Sequence, residues 1–211
     1  SPFVHDSVFS ANLFDCPDAI LVGEIIENAQ GGAALYVGPD SAPRVVGCAF
    51  EDNEAAFPCQ GGAVYVDQAD PILQGNVFAR NFSAYGGALA TDRMAGPIVG
   101  NLFEDNEALS EGGGVAQVSS CSALLDNIVR RNVADMDGGG VHICVTCYPH
   151  ANPTVLDNRI VDNENASEGA AGFGAAYLRA FEGNDVFGNL QGAAPSDFAW
   201  HQELSEGYPA W

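Results

Sequence analysis

Lysine is absent from this chain, and its seven basic residues are all arginine, set against 28 aspartates and glutamates. The formal charge of −21 repels phosphate backbones and anionic headgroups, which excludes nucleic acid as a partner. Also missing is any apolar run of about eighteen residues, so no segment reads as membrane-spanning. No window sustains a 3.6-residue period, and the regularly spaced leucines of leucine-rich repeats are lacking. Charged residues make up only 17% and apolar residues 47%, a balance that argues against disorder. The 211 residues therefore suffice for one domain, or one stretch of an elongated array.

The chain does not begin with methionine, and Ser1-Pro2 reads as a processed mature end or a boundary within a longer protein. Six cysteines and an acidic, base-poor surface favour an oxidising, extracellular or cell-surface setting. The cytoplasm of a halophile would produce the same acidity. Asn81 and Asn165 each open an Asn-x-Ser triplet, a motif that arises often by chance.

What is abundant is repetition. An aromatic or branched apolar residue, two variable positions and an asparagine recur as Phe9/Asn12, Ile25/Asn28, Phe50/Asn53, Phe78/Asn81, Phe103/Asn106, Val129/Asn132, Ile160/Asn163 and Val186/Asn189. The intervals between successive anchor asparagines are 16, 25, 28, 25, 26, 31 and 26, clustering near 26 after the first. Five residues before the anchor stands a second asparagine, at Asn76, Asn101, Asn127, Asn158 and Asn184, with Cys48 in that slot one repeat earlier. Pro43, Pro71, Pro97 and Pro153 open the strand leading into it. After each anchor comes a small-residue run and an alternating strand: GGAVYV at 61–66, GGALAT at 86–91, GGGVAQ at 112–117 one register out, and GGGVHI at 138–143.

Short alternating runs broken by Gly, Asn and Pro are strand signals. Stacking one coil per repeat sets equivalent residues about 4.8 Å apart, the interstrand spacing. The apolar residue three before the anchor then forms an internal column, and the asparagines form two amide ladders. Glycines supply the positive φ of the corners. The predicted fold is all-β: a right-handed parallel β-helix of about seven to eight coils of ~26 residues over 1–189, with 190–211 as a C-terminal cap or the start of a further segment. Immediately before the anchors stand Glu27, Asp52, Arg80, Asp105, Arg131 and Asp162, whose sign alternates from Asp52 onward. Stacking places each arginine between two carboxylates, a structural role.

The pairing of Phe-Glu-Asp-Asn (50–53, 103–106) with GGAV (61–64) and GGGV (112–115) resembles the FxxN and GGA-(I/L/V) repeats of the polymorphic outer-membrane proteins. More broadly it is similar to the pectin-lyase-like superfamily of β-helices, over roughly residues 7–189. The first resemblance implies a surface adhesin or passenger stalk, although no C-terminal membrane barrel like that group's is read here. The second implies contact with carbohydrate, since many members cleave or bind acidic polysaccharide.

Candidate sites are few. A lyase needs a Lys or Arg base beside a uronate, and lysine is lacking. A glycosidase needs two carboxylates on one groove, but here the acids recur because the coil recurs. Glu51, Asp52, Asp105 and Glu107 offer hard oxygen ligands, making Ca²⁺ a cofactor candidate. His142, Cys144, Cys147 and His150 form a cluster with zinc-ligand chemistry. The competing reading is a disulfide between Cys121 and Cys147, each 15 residues past an anchor and so one coil apart. Tyr36, Tyr65, His142 and Tyr177 align with Ala90 and Ala116 on the outward face of the GG strand, as candidate contacts for sugar rings. The expected function is a non-catalytic extracellular module for adhesion, surface display or assembly, with a carbohydrate-binding or carbohydrate-active β-helix as the alternative. Its partner is then a surface protein or a glycan, and the coil ends are candidate surfaces for homo- or hetero-assembly.

Overall fold

The structure, a computed structural model, describes residues 2–14, 20–22, 25–27, 31–144, 153–167, 169–175, 178–192 and 194–200. Each coil contributes four short strands, illustrated by Ile72–Gln74, Val77–Ala79, Phe82–Ser83 and Leu89–Asp92. Equivalent strands of successive coils pair in parallel, giving four long sheets that run the length of the molecule. Three of the sheets hold seven strands, and the sheet containing Phe82–Ser83 holds eight because a short antiparallel hairpin closes it. This is a parallel β-helix, right-handed as crossovers between parallel strands nearly always are. Seven strand levels span about six turns.

That is slightly fewer than the seven to eight coils expected, and the reason is local. Ile25–Glu27 is not a coil strand: it pairs antiparallel with Ile20–Val22 in a hairpin inserted between the third and fourth strands of the first level. Phe9 pairs directly with Phe50, and Asn12 Nδ2 donates to Asn53 Oδ1 at 2.7 Å across 41 residues. Glu27 accordingly leaves the charge column.

The core follows the internal columns. Phe9, Phe50, Phe78 and Phe103 stack with centroids 4.7 to 4.9 Å apart and planes within 6° of parallel, and Val129 and Ile160 continue the file. Stacked rings normally prefer an offset. Here the strand ladder dictates the spacing, and burial of each ring, worth at most about 2–3 kcal/mol, supplies the driving force.

Two asparagine ladders bind the corners. Asn81 shows the unit: its amide donates to Asn106 Oδ1 at 2.9 Å and to Phe50 O at 3.0 Å, while its backbone N–H donates to the same Asn106 oxygen at 2.9 Å. Every polar atom in the unit is thus used, although Asn53, Asn81, Asn106, Asn132 and Asn163 are almost wholly buried. The second ladder runs from Asn76 to Asn184, and Cys48 joins it only through its N–H, which donates to Asn76 Oδ1 at 2.9 Å. At the far end of the anchor ladder, Asn189 donates to Asp197 Oδ1 from both its N–H and its amide, at 3.1 and 3.0 Å. A carboxylate accepts without donating, so the ladder ends there. Strand Phe198–Trp200 then pairs in parallel with Phe173–Ala175.

Corner geometry departs from expectation in one respect. Before the second-ladder asparagines the left-handed residue is often glycine, as at Gly75 and Gly100. Before the anchors it is Ala11, Asp52, Arg80, Asp105, Arg131, Asp162 and Gly188, with φ between 52° and 71°. A side chain there costs about 1–2 kcal/mol. The glycine pairs are needed elsewhere: a Cβ on Gly87 would lie 2.3 Å from the carbonyl oxygen of Gly113 on the next coil. The runs at 61, 86, 112 and 138 align position for position, with Val64, Leu89, Val115 and Val141 in register. The loop before them absorbs the extra residue, so GGGVAQ is not one register out.

Candidate functional site

The arginine column forms in one direction only. Arg80 grips Asp52 with two bonds of 2.8 and 2.9 Å and reaches Glu51 at 3.2 Å. Arg131 grips Asp105 at 2.8 and 2.9 Å and Glu104 at 2.9 Å, and Arg130 joins Glu104 at 2.6 Å. Each arginine turns back to the preceding level instead of bridging two. The hydrogen bonds from Arg80 and Arg131 hold the Asp52 and Asp105 carboxyls below the usual carboxylate range, and both guanidinium groups are pushed up in return. The oxygens of Glu51, Asp52 and Asp105 proposed for calcium are therefore occupied by guanidinium, while Glu107 is exposed on its strand. Among the described residues, no three His, Cys, Asp or Glu side chains are arranged to hold a metal ion.

The GG sheet carries the irregular chemistry. Tyr36, Tyr65, Ala90, Ala116 and His142 do stack in one outward column, and Gly174 follows them; Tyr177 lies outside the described residues. Most of this column is buried. Tyr65 and His142 are each 7% exposed, whereas Tyr36 is 40% exposed and is the member able to present a ring face. Tyr36 and Tyr65 lie 5.9 Å apart, tilted by 32°. Tyr36 donates to Asp67 at 3.3 Å, and Arg93 pairs with Asp92 at 2.8 Å and Asp67 at 3.7 Å. Burial, then the Asp67 and Asp92 charges, push the Tyr65 phenol up.

Farther along the face His142 sits between two carboxylates. Its Nε2 is 3.3 Å from Glu111 Oε2 and its Nδ1 is 3.3 Å from Asp137 Oδ2. Glu111 and Asp137 are stacked on adjacent levels by a parallel bridge in the turn that precedes each glycine run. Asp137 is buried, and its Oδ1 accepts from the N–H groups of Gly138 at 2.8 Å and Ala170 at 2.7 Å. Nδ1 makes no hydrogen bond, so this contact is a charge pairing. Burial pulls the His142 pKa down, but Asp137, Cys144 and Glu111 outweigh it, and the imidazole is pushed up to about 9. His142 is consequently a cation at neutral pH.

Of the zinc candidates, His142 and Cys144 share this face, while Cys147 and His150 lie outside the described residues, as does the Cys147 end of the bridge to Cys121. Sequence reasoning passed over Glu111 and Asp137. Their signal was the residue before each glycine run, which reads Gln60, Tyr85, Glu111 and Asp137 and so breaks the repeat. Both sequon asparagines are buried, Asn81 in the ladder and Asn165 donating to Met136 O at 2.6 Å.

No curated protein and no solved structure matches this chain. The family model described as the right handed beta helix region matches residues 4–193, nearly the whole coil. With its stacked parallel strands and amide ladders, the chain belongs to the right-handed β-helix family.

Proposed function

We propose that the chain is a non-catalytic extracellular or cell-surface β-helix module, a rigid acidic rod acting in surface display, adhesion or assembly. The observation that carries this reading is the unbroken register of the anchor ladder over seven levels. The acids that recur beside it are spent on arginine and do not converge on a groove. The irregular acids of the GG sheet, Glu111 and Asp137, likewise pair internally with His142. A stiff rod with an anionic surface suits holding a binding element away from a cell, and the partner is then a surface protein or a glycan. An even count of six cysteines fits an oxidising compartment.

A second reading, carbohydrate contact, is favoured by one observation: exposed Tyr36 donates to Asp67, which Arg93 also pairs, so an aromatic ring stands next to a hydrogen-bonding ion pair. One experiment separates the readings. The chain is incubated with a panel of polysaccharides, with and without Ca²⁺, and retention and released fragments are recorded together. The rod reading expects no fragment release. Release abolished by Glu111→Gln would overturn it in favour of an enzyme, whereas retention lost on Tyr36→Ala would make the face a glycan-binding site.

A further inference from the structure

We propose that Gln117 and Thr91 bind a water molecule inside the coil, at a polar site that the repeat does not provide on other levels. Gln117 lies on strand Val115–Val118 and is wholly buried, and neither its Nε2 nor its Oε1 has a hydrogen-bond partner among the described residues. Alternation along the strand turns Val115 and Gln117 inward and Ala116 outward. The inward column through Gln117 reads Val37, Val66, Thr91, Gln117, Ile143 and Ala175, so polar side chains enter it at two adjacent levels only. A ladder asparagine is satisfied by the amides above and below it. Gln117 has Thr91 on one side and Ile143 on the other, so no amide stack completes it.

Thr91 supplies the other half of the site. Its Oγ1 is 2.9 Å from Ser120 Oγ, which also contacts Val118 O at 3.0 Å and the Met94 N–H at 3.1 Å. Ser120 has one proton, and a carbonyl only accepts. All three contacts are hydrogen bonds only if Ser120 donates to Val118 O and accepts from both Met94 and Thr91. The Thr91 proton is thereby spent, while its oxygen accepts from no partner among the described residues. Thr91 and Gln117 are direct parallel neighbours, about 4.8 Å apart along the backbone, with both side chains turned into the same interior.

A single water matches these atoms. It accepts from Nε2 and donates one proton to Oε1 and the other to Thr91 Oγ1, making about the three hydrogen bonds that buried waters usually make. A metal cation does not match. It would take the two oxygens but face the amide hydrogens, and no carboxylate stands in the inward column to balance its charge. An apolar ligand would leave the amide unpartnered, at the full cost of burying it. The adjoining turn is built from small polar residues, with Ser122 also wholly buried and donating to Met94 O at 3.2 Å. The site is closed to solvent, so it belongs to the interior of the rod whatever its outer faces bind.

The test uses the whole folded chain, isotope-labelled for NMR. A cross-peak between water and the Gln117 side-chain amide is expected, with the sign of a long-lived complex. The Asn106 amide is the internal control: both its protons are taken by Phe78 O and Asn132 Oδ1, and it should show none. Thr91→Val keeps the shape of the side chain and repeats the Val66 of the preceding level, and is expected to lose the Gln117 cross-peak. A high-resolution crystal structure of the unsubstituted chain gives the second measurement, with one water expected within hydrogen-bonding distance of Gln117 and Thr91. Absence of the cross-peak, its survival in Thr91→Val, a metal ion at the site, or a Gln117 amide bonded to protein atoms would each overturn the proposal.

Discussion

The ladder corners and the outer face of the GG sheet are built on the same stacked coils but obey different rules. At the corners an identical residue returns on almost every level, because each asparagine completes the hydrogen bonds of its neighbours on both sides. On the GG face the column runs through tyrosine, alanine, histidine and glycine, since no side chain there is required by the level above. Register is enforced where a buried amide must be satisfied, and variation is tolerated where the backbone ladder alone holds the strand. The face is where chemistry specific to this chain has room to arise.

The sharpest way to break the contrast is at the ladder. Asn106→Leu strands the amide and N–H of Asn81 and the Phe78 carbonyl, and is expected to cost about 3–5 kcal/mol in chemical denaturation, as loss of several buried partners should. A loss below about 1 kcal/mol would mean the ladder does not set the register.

On the face, His142 contributes through its charge. Its folded pKa of about 9 lies above the unfolded value of 6.5, so the protonated form is the stabilised one. That contribution is fully present below pH 6.5 and is lost as pH rises through 9, at most ~3 kcal/mol from the size of the shift. Melting of the native chain should therefore weaken across that window while His142→Gln stays comparatively flat. Matching profiles would remove His142 from the account.

The exposed arginine column should matter least among the polar contacts. Arg131→Met is expected to cost ~1 kcal/mol at low salt and less at high salt, because solvent and ions screen half-exposed pairs. A larger, salt-independent loss would show that the pair sets the left-handed corner itself. The smallest effect concerns the sequons: expression in a glycosylating host should leave the mass of the folded chain unchanged, since Asn81 and Asn165 are both buried.

Much of this was legible beforehand. The phenylalanine file, both asparagine ladders and the Cys48 slot follow from a period near 26, because stacking converts a linear interval into a vertical neighbour. Ile25/Asn28 matched the motif and misled, although an interval of 16 is too short for a four-strand coil. Asp197 escaped notice because it mimics the next ladder residue only 8 positions after Asn189, where the chain folds back across the coil end. The two-sided environment expected for Arg80 and Arg131 proved one-sided, and the choice between neighbours at similar spacing is made by side-chain geometry.

Sequence by itself determined what repeats: the β-helix, its core file, its ladders and the sign of its surface, all of which depend on residue type at a fixed spacing. Tertiary structure alone decided which side chains meet on the outer face. Glu111 and Asp137 are 26 residues apart and so stack by the period, but only the folded turn before the glycine run turns both carboxylates onto the two ring nitrogens of His142. Contacts within the period are set by arithmetic, whereas contacts outside it depend on how each loop closes.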